Sequence, residues 1–517
     1  MMLLEGIVPR LAGHSAKIQF MDDKGEVQTT SFGELYRDIQ ALSGQLRQSG
    51  LKPGMRVGIL APTSYQWMVW DLSILTCGAI SVAFPHEAVK GSLSPYIERL
   101  EIDLLAASRE SVESEAFNES AVVDIDLTSV STLAAIQRRS QNPTDPRTHS
   151  LVFSSGTTGK TKGLIISRLG TEHLLNLYEA AFGVQSGERF LTFLPFANYQ
   201  QRMAYYFCLY HGIDFCYVPF QRLFPGLKVF QPTYVIAPPV FFEATHGMAE
   251  AGVPATSDAS ARRPQVAQRL RDLLGGNIRY LITGMAPIKR RTLDFFWDHG
   301  VCLYEAFGIT EAGMVCWNKP GQVRIGTVGC PAEAGSVSLG PDGEVIVTRE
   351  HLLSLGYFES SEEDARATFL GPHSVATGDI AQLDEAGYLS IVGRKKDAIV
   401  TRTGEKFHPE AIEVEIQCVA GVKSVVVLGG DPLPGVGALV VVADQSNSST
   451  TAAIRARIDA VNASLPQIQR VRQVVFTETD FSIENGLRTR NLKLNRRAIF
   501  DRFMHEFLPG GGAHGSR

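Results

Sequence analysis

Residues 154–163 read SSGTTGKTKG. Glycines let a backbone approach a ligand closely, hydroxyls donate to oxygen, and Lys160 and Lys162 add positive charge. The stretch is therefore suited to holding phosphate. A P-loop needs G-x-x-x-x-G-K-[ST]. Gly159, Lys160 and Thr161 meet the end of that pattern, but its first glycine would fall on Ser154. A P-loop also opens straight into a helix, whereas LIIS at 164–167 continues as a strand. The stretch reads as strand, phosphate-holding loop, strand.

The elements that must position such a loop follow from hydropathy. Buried strands are expected at RVGILAP (56–62), DLLAAS (103–108), FLTFLP (190–195), DFCYVP (214–219), YVIAPP (234–239), IRYLITG (278–284) and CLYEAFG (302–308). Helical patterns such as NYQQRMAYYFCLYHG and PIKRRTLDFFWDHG lie between several of them, which argues for α/β layers with largely parallel sheets. Asp71 interrupts the apolar run Trp67 to Phe84, and its uncharged part Leu72–Phe84 is too short to span a bilayer; the run reads as a buried helix entering a buried strand. EAGVPATSDASARRP (250–264) is small and polar and is expected to be a surface loop. Beyond Gly308, residues 326–350 suggest a small antiparallel β unit turned at Pro-Asp-Gly. From GRKKD (393–397) onward, VKSVVVLGG, GALVVVAD and TAAIRARIDAVNASL are sufficient for an independent α+β domain. The tail LPGGGAHGSR is expected to be disordered.

A chain of 517 residues exceeds one compact core, so two or more domains are expected. It is 44% apolar and 20% charged, the composition of a globular protein. The net charge of −5 argues against a nucleic-acid scaffold. Seven cysteines without a C-x-x-C pair argue against a disulfide framework or zinc ribbon and for a reducing, cytoplasmic setting. The start MMLLEGIVPRLAGH is not that of a signal peptide.

LVFSSGTTGKTKG (151–163) resembles the phosphate loop of the ANL adenylate-forming superfamily, which comprises acyl-CoA synthetases, nonribosomal-peptide adenylation domains and luciferases. Thr161 stands where proline is usual. The resemblance implies that Ser154, Ser155, Gly156, Thr157, Thr158, Gly159 and Lys162 hold the phosphates of ATP. Further motifs follow in the family's order. LPFANYQQR (194–202) resembles L-P-x-x-H-x-x-x-R, with Asn198 for histidine and Gln201 where synthetases of long acids often have glutamate. It implies that Asn198, Tyr199 and Arg202 border the acid. ITGMAPI (282–288) resembles S-G-G-A-P-L and implies Gly284, Met285 and Ala286 along the adenine and acyl pocket. Phe196, Tyr205 and Phe241 are further apolar candidates for that pocket or for plain core. YEAFGITEAG (304–313) resembles Y-x-x-Y-G-x-T-E. It implies Phe307 and Gly308 at adenine, Thr310 at the α-phosphate and Glu311 at magnesium. ATGDI (376–380) and GRKKD imply Asp379 and Arg394 at the ribose and Lys396 as a hinge. TRTGEKFHPEAIE (401–413) implies Gly404 in a thiol tunnel. FSIENGLRTRNLKLNR (481–496) is nearest the long-chain acyl-CoA synthetase and carboxylic acid reductase form and implies Lys493 as the adenylation lysine. Taken singly, each motif would be an ordinary turn, cap or solvated charge.

The implied architecture is an α/β domain over 1–394, built of layered subdomains plus a small β unit, followed by a mobile α+β domain over 395–517. The implied activity is ATP- and Mg2+-dependent formation of an acyl adenylate from an apolar acid, then transfer to a thiol, CoA or phosphopantetheine. Two alternatives stand beside an acyl- or aryl-CoA ligase. One is loading of a separate carrier protein or an amine. The other is a degenerate nucleotide- or acyl-binding homologue, against which the retention of Glu311, Asp379, Arg394 and Lys493 argues. Neither nucleic acid nor an integral membrane segment is implied.

Overall fold

The computed structural model describes residues 1–85, 93–113, 116–117, 121–126, 133, 135–139, 145–154, 162–185, 187–254, 259–401, 405–482, 484–488 and 494–508. The tail beyond 508, expected to be disordered, lies outside them. Among the described residues the strands form two large sheets, a five-stranded sheet, a two-stranded one and a three-stranded one.

Every strand expected between 56 and 308 is present. Arg189–Thr192, Tyr234–Ala237, Tyr280–Thr283 and Leu303–Ile309 run parallel in the nine-stranded sheet. Their alternation decides which residues serve which face. Leu191, Val235, Leu281 and Leu303 form one cross-strand row, all but fully buried. That row packs on Leu227, Phe241, Phe242, Leu270, Leu293 and Phe296 of the flanking helices. The alternate residues Phe190, Tyr234, Ile236 and Ile282 turn to the other side and line a cavity. Its far wall is the helices Arg168–Phe182 and Tyr199–His211. Ser167 caps the first helix by accepting from the Gly170 amide, Asn198 caps the second through the Gln200 amide, and left-handed Gly212 ends it.

The seven-stranded sheet holds Arg56–Leu60, Ile80–Ala83 and Leu104–Ala107 in parallel, each residue buried. As expected, the Trp67–Phe84 run is a buried helix, Tyr65–Thr76, entering the strand Ile80–Ala83. No helix among the described residues is long and apolar enough to cross a membrane. The expected loop at 250–264 is corrected in part. Residues 259–264 open the helix Ala259–Leu273, because Val266 and Leu270, one turn apart, anchor it on the core. The small β unit expected at 326–350 is divided. Cys330–Pro331 extends the first large sheet, while Val337–Leu339 and Glu344–Thr348 join Ser374–Leu383 and Leu389–Arg394 in the five-stranded sheet.

After 396, the strands Val422–Leu428, Val436–Val442 and Val471–Thr477 build a separate three-stranded sheet. The central strand is buried on both faces. Ala438 and Val440 face one apolar cluster with Ile454 and Ile458, and Leu439 and Val441 face another with Ile499 and Phe503.

Candidate active site

The phosphate-loop stretch is flanked by strands Thr148–Ser154 and Lys162–Ser167, antiparallel, with Ser154 opposite Lys162. A strand on each side of the loop agrees with the strand–loop–strand reading and not with a P-loop. Residues 155–161, hence Ser155, Gly156, Thr157, Thr158 and Gly159, lie outside the described residues, as do the side chains of Ser154 and Lys162. Strand Ser354–Phe358 pairs along the outer side of Lys162–Ser167.

That same outer strand reaches the magnesium candidate. Strands Leu303–Ile309 and Gly313–Trp317 form a hairpin with Thr310, Glu311 and Ala312 in its turn. Tyr357 donates from its hydroxyl to Glu311 Oε1 at 2.9 Å, and the Ser354 amide donates to the Glu311 carbonyl at 3.0 Å. Among the described residues Glu311 Oε2 takes no hydrogen bond, and no group of three metal-ligating side chains occurs. One carboxylate with a free oxygen fits a hard cation completed by phosphate and water. Gly308 sits at a register shift in the hairpin, where a Cβ would lie 2.6 Å from the Gly313 carbonyl oxygen; any side chain there would break the turn. Phe307 is half-buried against the five-stranded sheet.

The segment after strand Tyr280–Thr283 lies beside this hairpin. A Cβ on Gly284 would come within 2.9 Å of the Ala306 carbonyl oxygen, so the close approach requires glycine. Met285 follows with φ +70°, in the left-handed region that residues with a side chain rarely adopt. Ala286 is exposed.

Asp379 and Arg394 stand directly opposite on neighbouring strands, Nε to Oδ1 2.9 Å. The two residues expected at the ribose are thus brought together. Lys395 pairs with Asp342 and Glu344, each at 2.7 Å, while Lys396 is exposed in the short turn Lys395–Asp397. Across this turn, Glu410 Oε1 accepts from the Arg394 amide at 3.4 Å. Burial pushes the Glu410 carboxyl up to about 7 despite Arg496. Arg496 grips Glu413 with two hydrogen bonds of 2.7 and 2.5 Å and lies 3.6 Å from Asp397. Gly404 and Lys493 lie outside the described residues; Arg488 and Leu494, which bracket 489–493, form a β-bridge.

The cavity between sheet and helices has a volume of about 120 Å³ and is walled mostly by apolar side chains. Thr310 and Gly313 stand at the carboxyl ends of the parallel strands, where open α/β sheets bind ligands. Phe190 and Tyr234 stand near the opposite ends. Asn198 and Tyr199 line it; the Tyr199 hydroxyl is 2.7 Å from Thr171 Oγ1. Met285 is not among the lining residues, and Phe196, Tyr205 and Phe241 are core.

Arg202 is corrected: it does not border the cavity. It is fully buried on the other side of its helix, bonded to Asp71 at 2.5 Å, Ser81 at 2.7 Å, Ser150 at 2.8 Å and Tyr206 at 3.0 Å. Tyr205 and Tyr206 also donate to Asp71. A buried guanidinium requires such a partner set. Beside it, burial and the Arg202 charge hold His149 neutral. The sequence reading missed Tyr357, Glu410 and the cavity residues Tyr178, Tyr234 and Trp317. Only a strand alternation that puts Tyr234 and Ile236 on one face could have pointed to any of them.

Motifs that resemble those of adenylate-forming enzymes surround a hairpin turn, with an apolar cavity opening beside it. The family model described as AMP-binding enzyme matches residues 10–356, and that described as AMP-binding enzyme C-terminal domain matches 396–507. The chain belongs to the AMP-binding enzyme family. It is similar to the long-chain-fatty-acid–CoA ligase FadD15 of Mycobacterium bovis, with 28% identity covering 91% of this chain and 90% of that protein. It is also similar to the 2-succinylbenzoate–CoA ligase of Listeria innocua, with 22% identity covering 78% and 82%. The crystal structure of the anthranilate CoA ligase AuaEII in complex with anthranoyl-AMP shares its fold, with a TM-score of 0.76 at 19% identity over 97% of each chain.

Proposed function

We propose that this chain is an AMP-forming acid–thiol ligase that activates an apolar carboxylic acid with ATP and passes the acyl group to CoA. The observation that carries the reading is the apolar cavity ending at Thr310, on the turn that also carries Glu311. An acid seated there places its carboxylate where the α-phosphate would lie. A carboxylate oxygen forms the bond to the α-phosphorus as the bond to pyrophosphate breaks. The thiol sulfur then bonds to the acyl carbon, and AMP leaves.

The first step brings anion to anion, so the chain's work is neutralisation and positioning. In this reading Lys493, Lys162 and the amides and hydroxyls of 154–159 meet the phosphates. Thr310 donates to the α-phosphate, Phe307 and Gly284 flank adenine, and Asp379 accepts from the ribose with Arg394 holding it. Glu311, steadied by Tyr357, would hold Mg2+, which when bound offsets phosphate charge. The segment after Lys396 then turns to bring Gly404 to the thiol. Acid-dependent exchange of pyrophosphate into ATP, run over a panel of acids, tests this. Exchange with at least one acid is expected, and none with any acid would sink it. AMP release with CoA against a phosphopantetheine carrier protein names the acceptor; release with the carrier alone would replace CoA.

A further inference from the structure

An alkyl chain is the plainest guest for a cavity walled mostly by apolar side chains. Three residues in its deeper part argue for another. Trp317 Nε1 and the hydroxyls of Tyr178 and Tyr234 are each shielded from solvent and have no hydrogen-bond partner. Trp317 is 2% exposed and Tyr234 8%. Their rings adjoin, Tyr178 lying 6.0 Å from Tyr234 and 6.1 Å from Trp317 between centroids. Closer to Thr192, Gln201 is fully buried. It uses Oε1 to accept from the Thr192 hydroxyl and leaves Nε2 unpartnered. All four groups are hydrogen-bond donors.

A donor buried without an acceptor costs free energy that Phe or Leu at the same position would avoid. One such group is a packing compromise. Three on adjoining residues that line a single cavity, Tyr234 and Trp317 from strands and Tyr178 from a facing helix, with a fourth on Gln201 of the other facing helix, share one remedy, an acceptor on the occupant. We propose that the acid taken by this cavity carries an oxygen acceptor, a keto or hydroxyl group on a largely apolar body, remote from its carboxylate. The inference rests on the cavity being the acid site of the proposed ligase.

Register sets where that oxygen belongs. Trp317 lies opposite Ala306, and Tyr234 is one residue before the Leu191, Val235, Leu281 and Leu303 row. Trp317 and Tyr234 therefore stand about four and eight residues from Thr310 along the strand direction, on the order of 13–26 Å. Water at the donors would satisfy them too, but would give no preference for an oxygenated acid.

The test compares a saturated straight-chain acid with the same acid bearing a keto or hydroxyl group at successive positions along its distal half. The readout is kcat/KM for pyrophosphate exchange. At least one oxygenated acid is expected to exceed its parent by about tenfold, because a site built to bond an oxygen discriminates against the analogue lacking it. Tyr178→Phe and Tyr234→Phe keep the rings and are each expected to cut that ratio about fivefold. A parent acid that equals or exceeds every oxygenated one overturns the inference while the ligase reading stands. Unchanged ratios in both variants also overturn it. No exchange with any acid removes the ligase reading and this inference with it.

Discussion

Met285 keeps a side chain at φ +70°, where the resembled motif has glycine. Left-handed backbone costs a residue with a Cβ about 1–2 kcal/mol, partly offset by the extra freedom glycine brings to the unfolded chain. Met285→Gly should therefore stabilise the protein by up to about 1 kcal/mol in urea unfolding. Such strain persists where the surroundings hold it in place, and it clusters at functional sites. The Tyr357–Glu311 hydrogen bond is the second residue-scale test. Removing a bond to a carboxylate costs about 1.5–3 kcal/mol. Tyr357→Phe should lower pyrophosphate exchange about tenfold and raise the Mg2+ concentration needed for half-maximal rate. A Mg2+ titration of wild type and variant decides it; equal midpoints would reduce Tyr357 to packing.

At the scale of elements, Arg202 ties the helix Tyr199–His211 to Asp71 of the helix Tyr65–Thr76 and to Ser81 and Ser150 of the seven-stranded sheet. Arg202→Leu leaves Asp71 buried without its cation and should cost about 3–5 kcal/mol of stability. Pairing it with Asp71→Leu should recover part of that loss, read by the same denaturant titration. The strands and the phosphate loop's flanks were legible in the sequence because apolar runs bounded by Gly, Pro and Asp carry their own signal. The helix Ala259–Leu273 was only half legible, since its polar opening and Pro264 resemble a loop and its anchors begin at Val266. Motif resemblance located Arg202 but not its direction, which Asp71 sets from 131 residues away. Tyr357 escaped for the same reason: strand pairing, not sequence spacing, brings it to Glu311.

At the scale of the whole molecule, the two halves meet around 393–410. Glu410 there has its carboxyl pushed up to about 7 by burial. Between the ordinary carboxylate range and about 7 the folded chain keeps a proton that the unfolded chain has released. Stability therefore falls as pH rises through that window. Glu305, also raised to about 7 by burial, contributes in the same direction. Glu410→Gln should make thermal midpoints between pH 5 and 8 flatter, without abolishing the slope. An unchanged slope would show that Glu410 is ionised in the fold at neutral pH. The two-orientation reading makes its own demand. Lys493→Ala should abolish adenylate formation yet largely spare thiolation of a preformed adenylate, and equal loss of both half-reactions would refute it.

Among the described residues, all the lining of the cavity comes from between Leu174 and Leu353, and none from 396–507. On the proposed two-orientation reading, a guest seated in it has no wall that leaves when the C-terminal part turns. In pharmacological terms, with the cavity as the acid site of the proposed ligase, a compound filling it would compete with the acid alone. Excess ATP or CoA would not displace it, and it would arrest the catalytic cycle in either orientation.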